Sequence, residues 1–494
     1  MALEYLTPLR IAGITGGEYA GDGRLRDIHV AGAVSDNRDV SPGNLFVCIR
    51  GERVDGHTFA NSAFQAGAAC CLAEHPIPDA QGPYVLVDST LSALKTLGAH
   101  YRRQFKLPVI GVTGSVGKTS VKEMTACVLG AKYTVLKTKK NHNNEIGVPL
   151  TLLSLDEAHE AAVIEMGISD FGEMSRLAEM VRPDICIMTN IGYSHLKELG
   201  DLDGVLRAKS EVFAYMKPNG IAIMNGDDAL LRGYDPGIRK IMFGSGPDND
   251  IRAENIRAEG TDAVLCDIAG SRPGENSTER AGSRPGENSR FSVRIPAYGS
   301  HLALAASAAA AVGRLLDMAY EEIRRGILAY VPVEGRANVK NTGFVTLIDD
   351  SYNANPNSVK AALDSLSGLP GRHVAILGDM LNLGPQSSGL HREIGEIAAR
   401  SGVRCLICRG DSAKFIAGGY ASRGSAAAEA GGSAAVNKCA EDTANSRAVH
   451  LFDSNAELIG ALAGLLNKGD YVLVKASNGM HFSEIADHIA GMAE

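Results

Sequence analysis

Residues 108–120 read Pro-Val-Ile-Gly-Val-Thr-Gly-Ser-Val-Gly-Lys-Thr-Ser. The apolar run Val109, Ile110, Val112 predicts a strand. It leads directly into Gly114-Ser115-Val116-Gly117-Lys118-Thr119-Ser120, after which Val121, Met124, Val128 and Leu129 fall on one face of a predicted helix. Glycines let backbone N–H groups turn inward with no Cβ in the way, and a helix N-terminus adds the positive end of its dipole. Lys118 supplies a point charge for a β- or γ-phosphate, and the Thr119 hydroxyl suits Mg²⁺. The strict spacing GxxxxGK[ST] needs a glycine at position 112, where Val112 stands, so this is a shorter TGxxGKTS variant. An isolated GKT recurs by chance. Between a strand and a helix it points to phosphate binding, and it implies an α/β fold.

The chain around this stretch repeats the same grammar. Predicted strands at 109–113, 162–166, 185–191 and 221–225 alternate with helices, which implies a mainly parallel sheet covered on both faces. Ligands of such sheets sit beyond the carboxyl ends of the strands. The polar residues there are Thr113 and its loop, Glu165, Thr189-Asn190 and residues 225–228 (NGDD). A carboxylate at the end of an apolar strand is unfavourable unless it meets a cation or a donor, and Mg²⁺ would satisfy Glu165. His195 follows the next strand and is an even choice between site residue and solvated loop histidine. Lys209 is read as opening a helix, by itself an ordinary surface lysine. Residues 141–149 (NHNNEIGVP) concentrate side-chain amides that suit a polar ligand or, equally, a capped turn.

Two smaller α/β units flank this core. Residues 1 to about 105 carry predicted strands at 44–49, 68–72 and 84–87, a polar turn at 50–57 and a helix at 57–67. From about residue 330, predicted strands at 345–348, 374–377, 404–408 and 471–474 again end in polar residues, above all Asp349 to Pro356 (DDSYNANP), with a helix at 358–366. The nonapeptide AGSRPGENS occurs at 269–277 and 281–289, short of the roughly three copies a solenoid needs. Its Gly, Pro, Ser and Asn content predicts a mobile surface insertion between strands at 263–268 and 291–295. The Gly/Ala/Ser-rich stretch 417–446 predicts a loop or weak helix.

A formal net charge of −8 excludes a general nucleic-acid binder, which needs a basic face. Nine cysteines without a framework fit a reducing compartment. Cys405 and Cys408 stand in the apolar run VRCLIC, where buried strand thiols are expected rather than a metal site. No basic-then-apolar leader and no run of ~18 apolar residues is present, so a cytoplasmic protein with no membrane insertion is expected.

Taken together, these residues resemble the Mur ligases of peptidoglycan synthesis over nearly the whole chain. The resemblance runs from residues 34–38 (VSDNR), 43–46 (GNLF) and Asp55-Gly56-His57 to 474–477 (VKAS). Its most specific blocks are 113–120, 143–150 (NNEIGVPL), 165–167 (EMG), 189–195 with 208–211 (AKSE), and 348–356 (IDDSYNANP). The SYNANP run favours the dipeptide-adding branch; the Asp-Asn-Pro-Arg motif of the branch adding the third residue is absent. The resemblance implies three domains: 1–106 binding the UDP end of the substrate, 107–329 binding ATP on a doubly wound, mainly parallel sheet, and 330–494, Rossmann-like, closing over nucleotide and amino substrate. It implies that ATP phosphorylates the terminal carboxylate of UDP-MurNAc-tripeptide, after which the amine of D-Ala-D-Ala displaces phosphate. A monomer is expected. A carboxylate is a poor electrophile, and bringing two anions together needs Mg²⁺ and lysines.

Carried over residue by residue, the resemblance gives residues 114–120 (Gly114, Ser115, Val116, Gly117, Lys118, Thr119, Ser120), Arg336 and Asp350 to the nucleotide. Thr119, Glu165, His195 and Lys209 go to the metal, Lys209 through carbamylation. Lys118, Lys209 and His195 are the implied catalytic groups. Asn143 and Asn144 lie near the reacting centre, and Ser35, Arg38, Asp55, Gly56 and His57 on the uridine side. Three blocks depart from the family pattern. His-Asn-x-x-Asn reads His301-Leu302-Ala303-Leu304-Ala305, so both asparagines of the adenine pocket are missing. Gly-Asp-Met-x-Glu carries Asn382, and Lys-Gly-Ser-Arg reads Lys475-Ala476-Ser477-Asn478. Two alternatives stay open: a related ligase with another amino acceptor, and a nucleotide-binding regulator without ligase activity.

Overall fold

The computed structural model describes residues 5–51, 54–270, 290–423, 427–429 and 447–492. Its strands form three sheets. The first has five short strands in the order Glu18–Ala20, Tyr84–Leu86, Cys70–Ala73, Leu45–Val47, Ala33–Val34. All pair in parallel except the edge strand Glu18–Ala20. The third has seven, with Thr346–Asp349, Tyr471–Lys475, His373–Gly378 and Val403–Arg409 adjacent and parallel at its centre.

The nine-stranded sheet between them positions the site. Its order is Phe291–Ile295, Ala263–Gly270, Ile251–Glu259, Arg239–Gly244, Ile221–Asn225, Ile185–Met188, Val109–Thr113, Ala161–Glu165, Val135–Lys137. It is parallel from the last of these back to Ile251–Glu259, and only the far hairpins are antiparallel. The continuous apolar strands Val109–Thr113 and Ala161–Glu165 are buried at every residue, as parallel strands covered on both faces must be. The expected α/β class and mainly parallel central sheet are what the structure has.

Several boundaries differ from the sequence reading, each for a local reason. The predicted helix at 57–67 is a 3₁₀ turn, Gly56–Phe59, followed by the helix Ala60–Gln65. Asp55 caps the turn by accepting the His57 N–H. The strand expected at 185–191 stops at Met188, because Thr189 and Asn190 turn onto the glycine loop. Lys209 does not open a helix; it lies in the last turn of Leu202–Ser210. The helix expected at 358–366 starts at Pro356, where Asn355 and Ser358 cap one another, side chain to backbone N–H in both directions. The strand Ala448–Phe452 was not expected at all. Cys405 and Cys408 are buried in Val403–Arg409, as the apolar run predicts. The flanking strands Ala263–Gly270 and Phe291–Ile295 pair antiparallel, while the repeat between them, from residue 271 to 289, lies outside the described residues, as does most of 417–446. Among the described residues no helix is long and apolar enough to cross a membrane.

The helix Lys118–Gly130 carries the glycine loop's cations and is seated by small residues. The alanine-rich helix Leu302–Leu315 and the helix Tyr320–Leu328 both pack on it. A Cβ on Gly326 would stand 2.4 Å from Val128 Cα and 2.7 Å from Cys127 O. Both are backbone atoms that cannot rotate away, so the two helices would have to separate. Gly326→Ala is therefore expected to lower stability by about 1–3 kcal/mol, seen as a lower urea midpoint. A midpoint equal to the parent's would show that this packing is looser than the distances imply.

Candidate active site

Strand order decides which residues meet. Val109–Thr113 lies between Ala161–Glu165 and Ile185–Met188, so three carboxyl ends open side by side at the point where the winding reverses. The loop 114–117 leaves the first, Glu165 ends the second, and Thr189-Asn190 follow the third. They interlock. The Thr189 N–H donates to Thr113 O at 2.9 Å, and the Ser115 N–H to Asn190 O at 3.0 Å. Thr189 Oγ1 donates to Val116 O at 2.5 Å, and the Val116 N–H donates to Asn190 Oδ1 at 2.9 Å. Gly114 makes this possible: its φ is +137°, and a Cβ there would lie 2.0 Å from Thr189 Oγ1. Gly117, at φ +79°, turns the chain into the helix.

Lys118 folds back over this loop, its Nζ donating to Gly114 O at 2.8 Å and Ser115 O at 3.4 Å. Loss of solvent lowers its basicity, Glu165 opposes that, and Arg336 adds to it. Glu165 is 1% exposed. Its Oε1 accepts from Asn143 Nδ2 at 2.7 Å and from Thr119 Oγ1 at 3.3 Å, while its buried Oε2 accepts no hydrogen bond. An orphaned carboxylate oxygen beside a threonine hydroxyl is a hard-oxygen donor set, which fits Mg²⁺. His195, in the left-handed region at φ +54°, lines the same cavity. Burial, then the charges of Lys209 and Lys118, push its imidazole down to about 4, leaving a neutral ring with a nitrogen lone pair. Lys209 is buried. Burial and the charge of Lys118 hold it well below the ordinary lysine value, against a weaker pull from Glu173. As an ammonium it does not fit a metal site; as a neutral amine it is a nucleophile.

These groups surround a cavity of ≈ 540 Å³. Ser115, Val116, Gly117, Lys118, Thr119, Asn143, Asn144, Glu165 and His195 line it from the central sheet, Arg336 and Tyr352 from the third unit, and Leu91 from the first. A second cavity of ≈ 330 Å³ adjoins it, lined by Ser120, Asn190, Tyr298, Leu302, Ala305, Asp350 and Lys475. Val116, Gly117, Arg336 and Ser358 line both. The Arg336 guanidinium lies 4.0 Å from the centroid of the Tyr352 ring. Asp350 pairs with the buried Lys475 at 2.5 Å, and Lys475 also donates to Asn353 O at 2.9 Å. The two departures Leu302 and Ala305 thus give the second cavity an apolar wall.

The structure brings together the residues expected at nucleotide and metal, with Gly114 behind the loop and Lys209 in the protein beside it. It does not bring the uridine-side residues to either cavity. Arg38 is exposed and paired with Asp36 at 2.5 Å. Ser35, Asp55, Gly56 and His57 stay in loops of the first sheet. His57 is fully engaged there: Nδ1 meets Asp55 Oδ1 at 2.6 Å, and Nε2 accepts the Glu74 N–H at 2.8 Å. His75 stacks on it at 4.1 Å between ring centroids, and the three side chains lie close enough to suggest a metal. A metal on Nδ1 would leave the ring proton on Nε2, facing the Glu74 donor, so this is a hydrogen-bonded cluster. Asn144 spends its Oδ1 on the Ile146 and Gly147 N–H groups. Residues the sequence reading left without a role include Asn190, Tyr352, Lys475 and the buried Lys122; position after a strand end was the available signal for Asn190.

Comparison with known proteins decides the family. Family models match in succession: "Mur ligase family, catalytic domain" over residues 29–102, "Mur ligase middle domain" over 112–313, and "Mur ligase, glutamate ligase domain" over 335–478. The UDP-N-acetylmuramoyl-tripeptide–D-alanyl-D-alanine ligase of Bacillus subtilis (strain 168) is 35% identical, covering 92% of both chains. The chain belongs to the Mur ligase family. The same-named enzyme of Mycobacterium tuberculosis is 31% identical over 98% of this chain and 97% of its own. The crystal structure of MurF from Acinetobacter baumannii superposes with a TM-score of 0.81 at 28% identity over the whole of both chains. MurF ligase from Thermotoga maritima in complex with ADP superposes at 0.75, with 26% identity over 93% and 97%. As in this Mur ligase chain, function then turns on the site.

The depressed His195 makes a pH prediction. Between about 4 and the ordinary value of 6.5 the unfolded chain binds a proton that the folded one refuses, so this group's contribution to stability falls as pH drops through that window. The stability difference between the parent and His195→Asn should shrink as pH falls from 6.5 to 4. A difference constant with pH in urea denaturation would refute the assignment.

Proposed function

We propose that this chain joins D-Ala-D-Ala to UDP-MurNAc-tripeptide, with ATP activating the terminal carboxylate as an acyl phosphate and giving UDP-MurNAc-pentapeptide, ADP and phosphate. The observation that carries this reading is the pair of adjoining cavities that share Val116, Gly117 and Arg336. One has the apolar wall a base needs; the other gathers a carboxylate, a neutral histidine and amides. Phosphates laid along the loop would pass from the first to the second. The activities named for the relatives from Bacillus subtilis and Mycobacterium tuberculosis support the same acceptor and amine, and the ADP complex of the Thermotoga maritima protein supports the nucleotide.

In this reading the loop N–H groups of 114–120 and the Lys118 ammonium hold the β- and γ-phosphates, with Arg336 and Asp350 closing on the nucleotide. Thr119 and Glu165, with His195, hold Mg²⁺, which when bound neutralises charge between two approaching anions. Lys209, as a neutral amine, takes up CO₂ to give a carbamate and a proton, replacing a buried base by an anion beside the cation site. Lys118 releases its two loop carbonyls and turns to the transferring phosphoryl group, where its charge counts most in a dry site. Asn143 orients Glu165 and faces the reacting carboxylate. Asn144, Ser35, Arg38, Asp55, Gly56 and His57 belong to the substrate side. Residues 1–106, 107–329 and 330–494 are the working domains, and the enzyme is a cytoplasmic monomer.

Phosphate release should require UDP-MurNAc-tripeptide, D-Ala-D-Ala and ATP with Mg²⁺ together, with a pentapeptide product of matching mass. Phosphate release indifferent to the dipeptide would overturn the acceptor assignment, and nucleotide binding with no release would favour the regulator. Lys118→Ala should reduce turnover at least about 100-fold while leaving the thermal midpoint in place; a parallel loss of folding would make Lys118 structural.

A further inference from the structure

Lys122 lies one helical turn beyond Lys118 and is 0% exposed. A wholly buried lysine needs an explanation, because taking an ammonium out of water is unfavourable unless it is paired. Its Nζ donates to Thr138 O at 2.8 Å and pairs with Glu123 Oε1 at 2.7 Å. Glu123 also pairs with Lys137 at 2.5 Å, near the surface. Burial raises the Glu123 carboxyl, but the two lysines outweigh this and hold it below the ordinary glutamate value. On its other side Lys122 stands 4.0 Å from Glu165 Oε2, beyond hydrogen-bond reach. Thr138 meets Glu165 as well, its Oγ1 accepting the Glu165 N–H at 2.9 Å.

The arrangement is asymmetric. Glu165 Oε1 is taken up by Asn143 and Thr119; Oε2 has the Lys122 amine 4.0 Å away but no hydrogen bond. Direct contact would occupy Oε2. Without any cation, only the two hydrogen bonds to Oε1 would hold the carboxylate in its rotamer. We propose that Lys122 is a positioning residue for the metal site: clamped by Glu123 and Thr138 O, it orients Glu165 electrostatically while leaving Oε2 open to a divalent cation. This rests on the assignment of Glu165 to Mg²⁺ above. It also gives Glu123 a function, which is to keep the ammonium from closing onto Oε2.

The test is Mn²⁺ binding to the full-length protein, followed by the loss of the free Mn²⁺ electron paramagnetic resonance signal, with turnover not required. The parent should bind Mn²⁺, and Glu165→Gln should not; a parent that fails to bind would overturn the metal reading itself. Lys122→Met keeps the buried stem and removes the charge, and it should weaken Mn²⁺ by about 10-fold or more, the effect typical of residues that orient metal ligands. Lys122→Arg, which restores a cation, should recover most of this. Glu123→Gln should also weaken binding, because the released ammonium moves onto Oε2. A folded Lys122→Met with parental Mn²⁺ affinity overturns the proposal. If that variant does not fold, parental affinity in Glu123→Gln overturns it.

Discussion

The site depends on a clamp made before any ligand arrives. Thr189 and Asn190, at the end of one central strand, hold the loop that leaves its neighbour through three hydrogen bonds between 2.5 and 3.0 Å, with a fourth, at 2.9 Å, to Thr113 at the strand's end. Because Gly114 has no Cβ, the Thr189 hydroxyl enters the space a side chain would fill. A glycine loop left alone would lose conformational entropy each time it closed on an anion. Here that entropy is lost on folding, so the helix dipole and the N–H groups are already aimed. The glycine is thus fixed by a contact 75 residues away in sequence (position 189 less position 114), and the parallel pairing of Val109–Thr113 with Ile185–Met188 creates that contact.

Charge is arranged around this clamp with an excess of cations. Lys118 is held back by loop carbonyls, Lys209 is driven towards its neutral form, and His195 refuses a proton. The causes are linked: the charge of Lys118 lowers both His195 and Lys209, and burial does the larger part for each. Glu165 is the counterweight, and Arg336 approaches from the third unit. A pocket so arranged in water-poor surroundings is poised for a polyanion, whose charge would oppose the mutual repulsion of these cations.

Much of this was legible in the sequence because it is local. The strand, glycine turn and helix at 108–129 follow from periodicity and turn chemistry, and Glu165 stood out as a carboxylate closing an apolar run. Lys209 reads as a helix start because the residues after its helix, Glu211–Tyr215, continue in 3₁₀ form, which carries a similar spacing of apolar residues. Ile191 was added to a strand for the same kind of reason; an apolar run does not announce where the backbone turns to bind a loop. Lys122 is invisible in the sequence, since a lysine at a helix position is ordinarily solvated, and this one is buried in a helix that packs on Val135–Lys137 and Ala161–Glu165. The cysteine pair Cys405 and Cys408 read correctly because strand burial is written in the adjacent residues.

The placing of Leu302 and Ala305 shows why motif departures need geometry. Read as missing asparagines, they remove polar contacts. In the fold they start the helix that packs on the Lys118–Gly130 helix, and they face the second cavity beside Tyr298. Asn225 at that end is spent, its Nδ2 donating to Thr189 O at 2.9 Å and its Oδ1 accepting the Asp227 N–H at 2.9 Å, but the buried Tyr298 hydroxyl has no hydrogen-bond partner among the described residues. A ring bound there would be held by apolar faces, with polar recognition shared between the Tyr298 hydroxyl and the third unit's side, where Asn357 and Ser358 line the wall. Selectivity for the base would then be shared between two units.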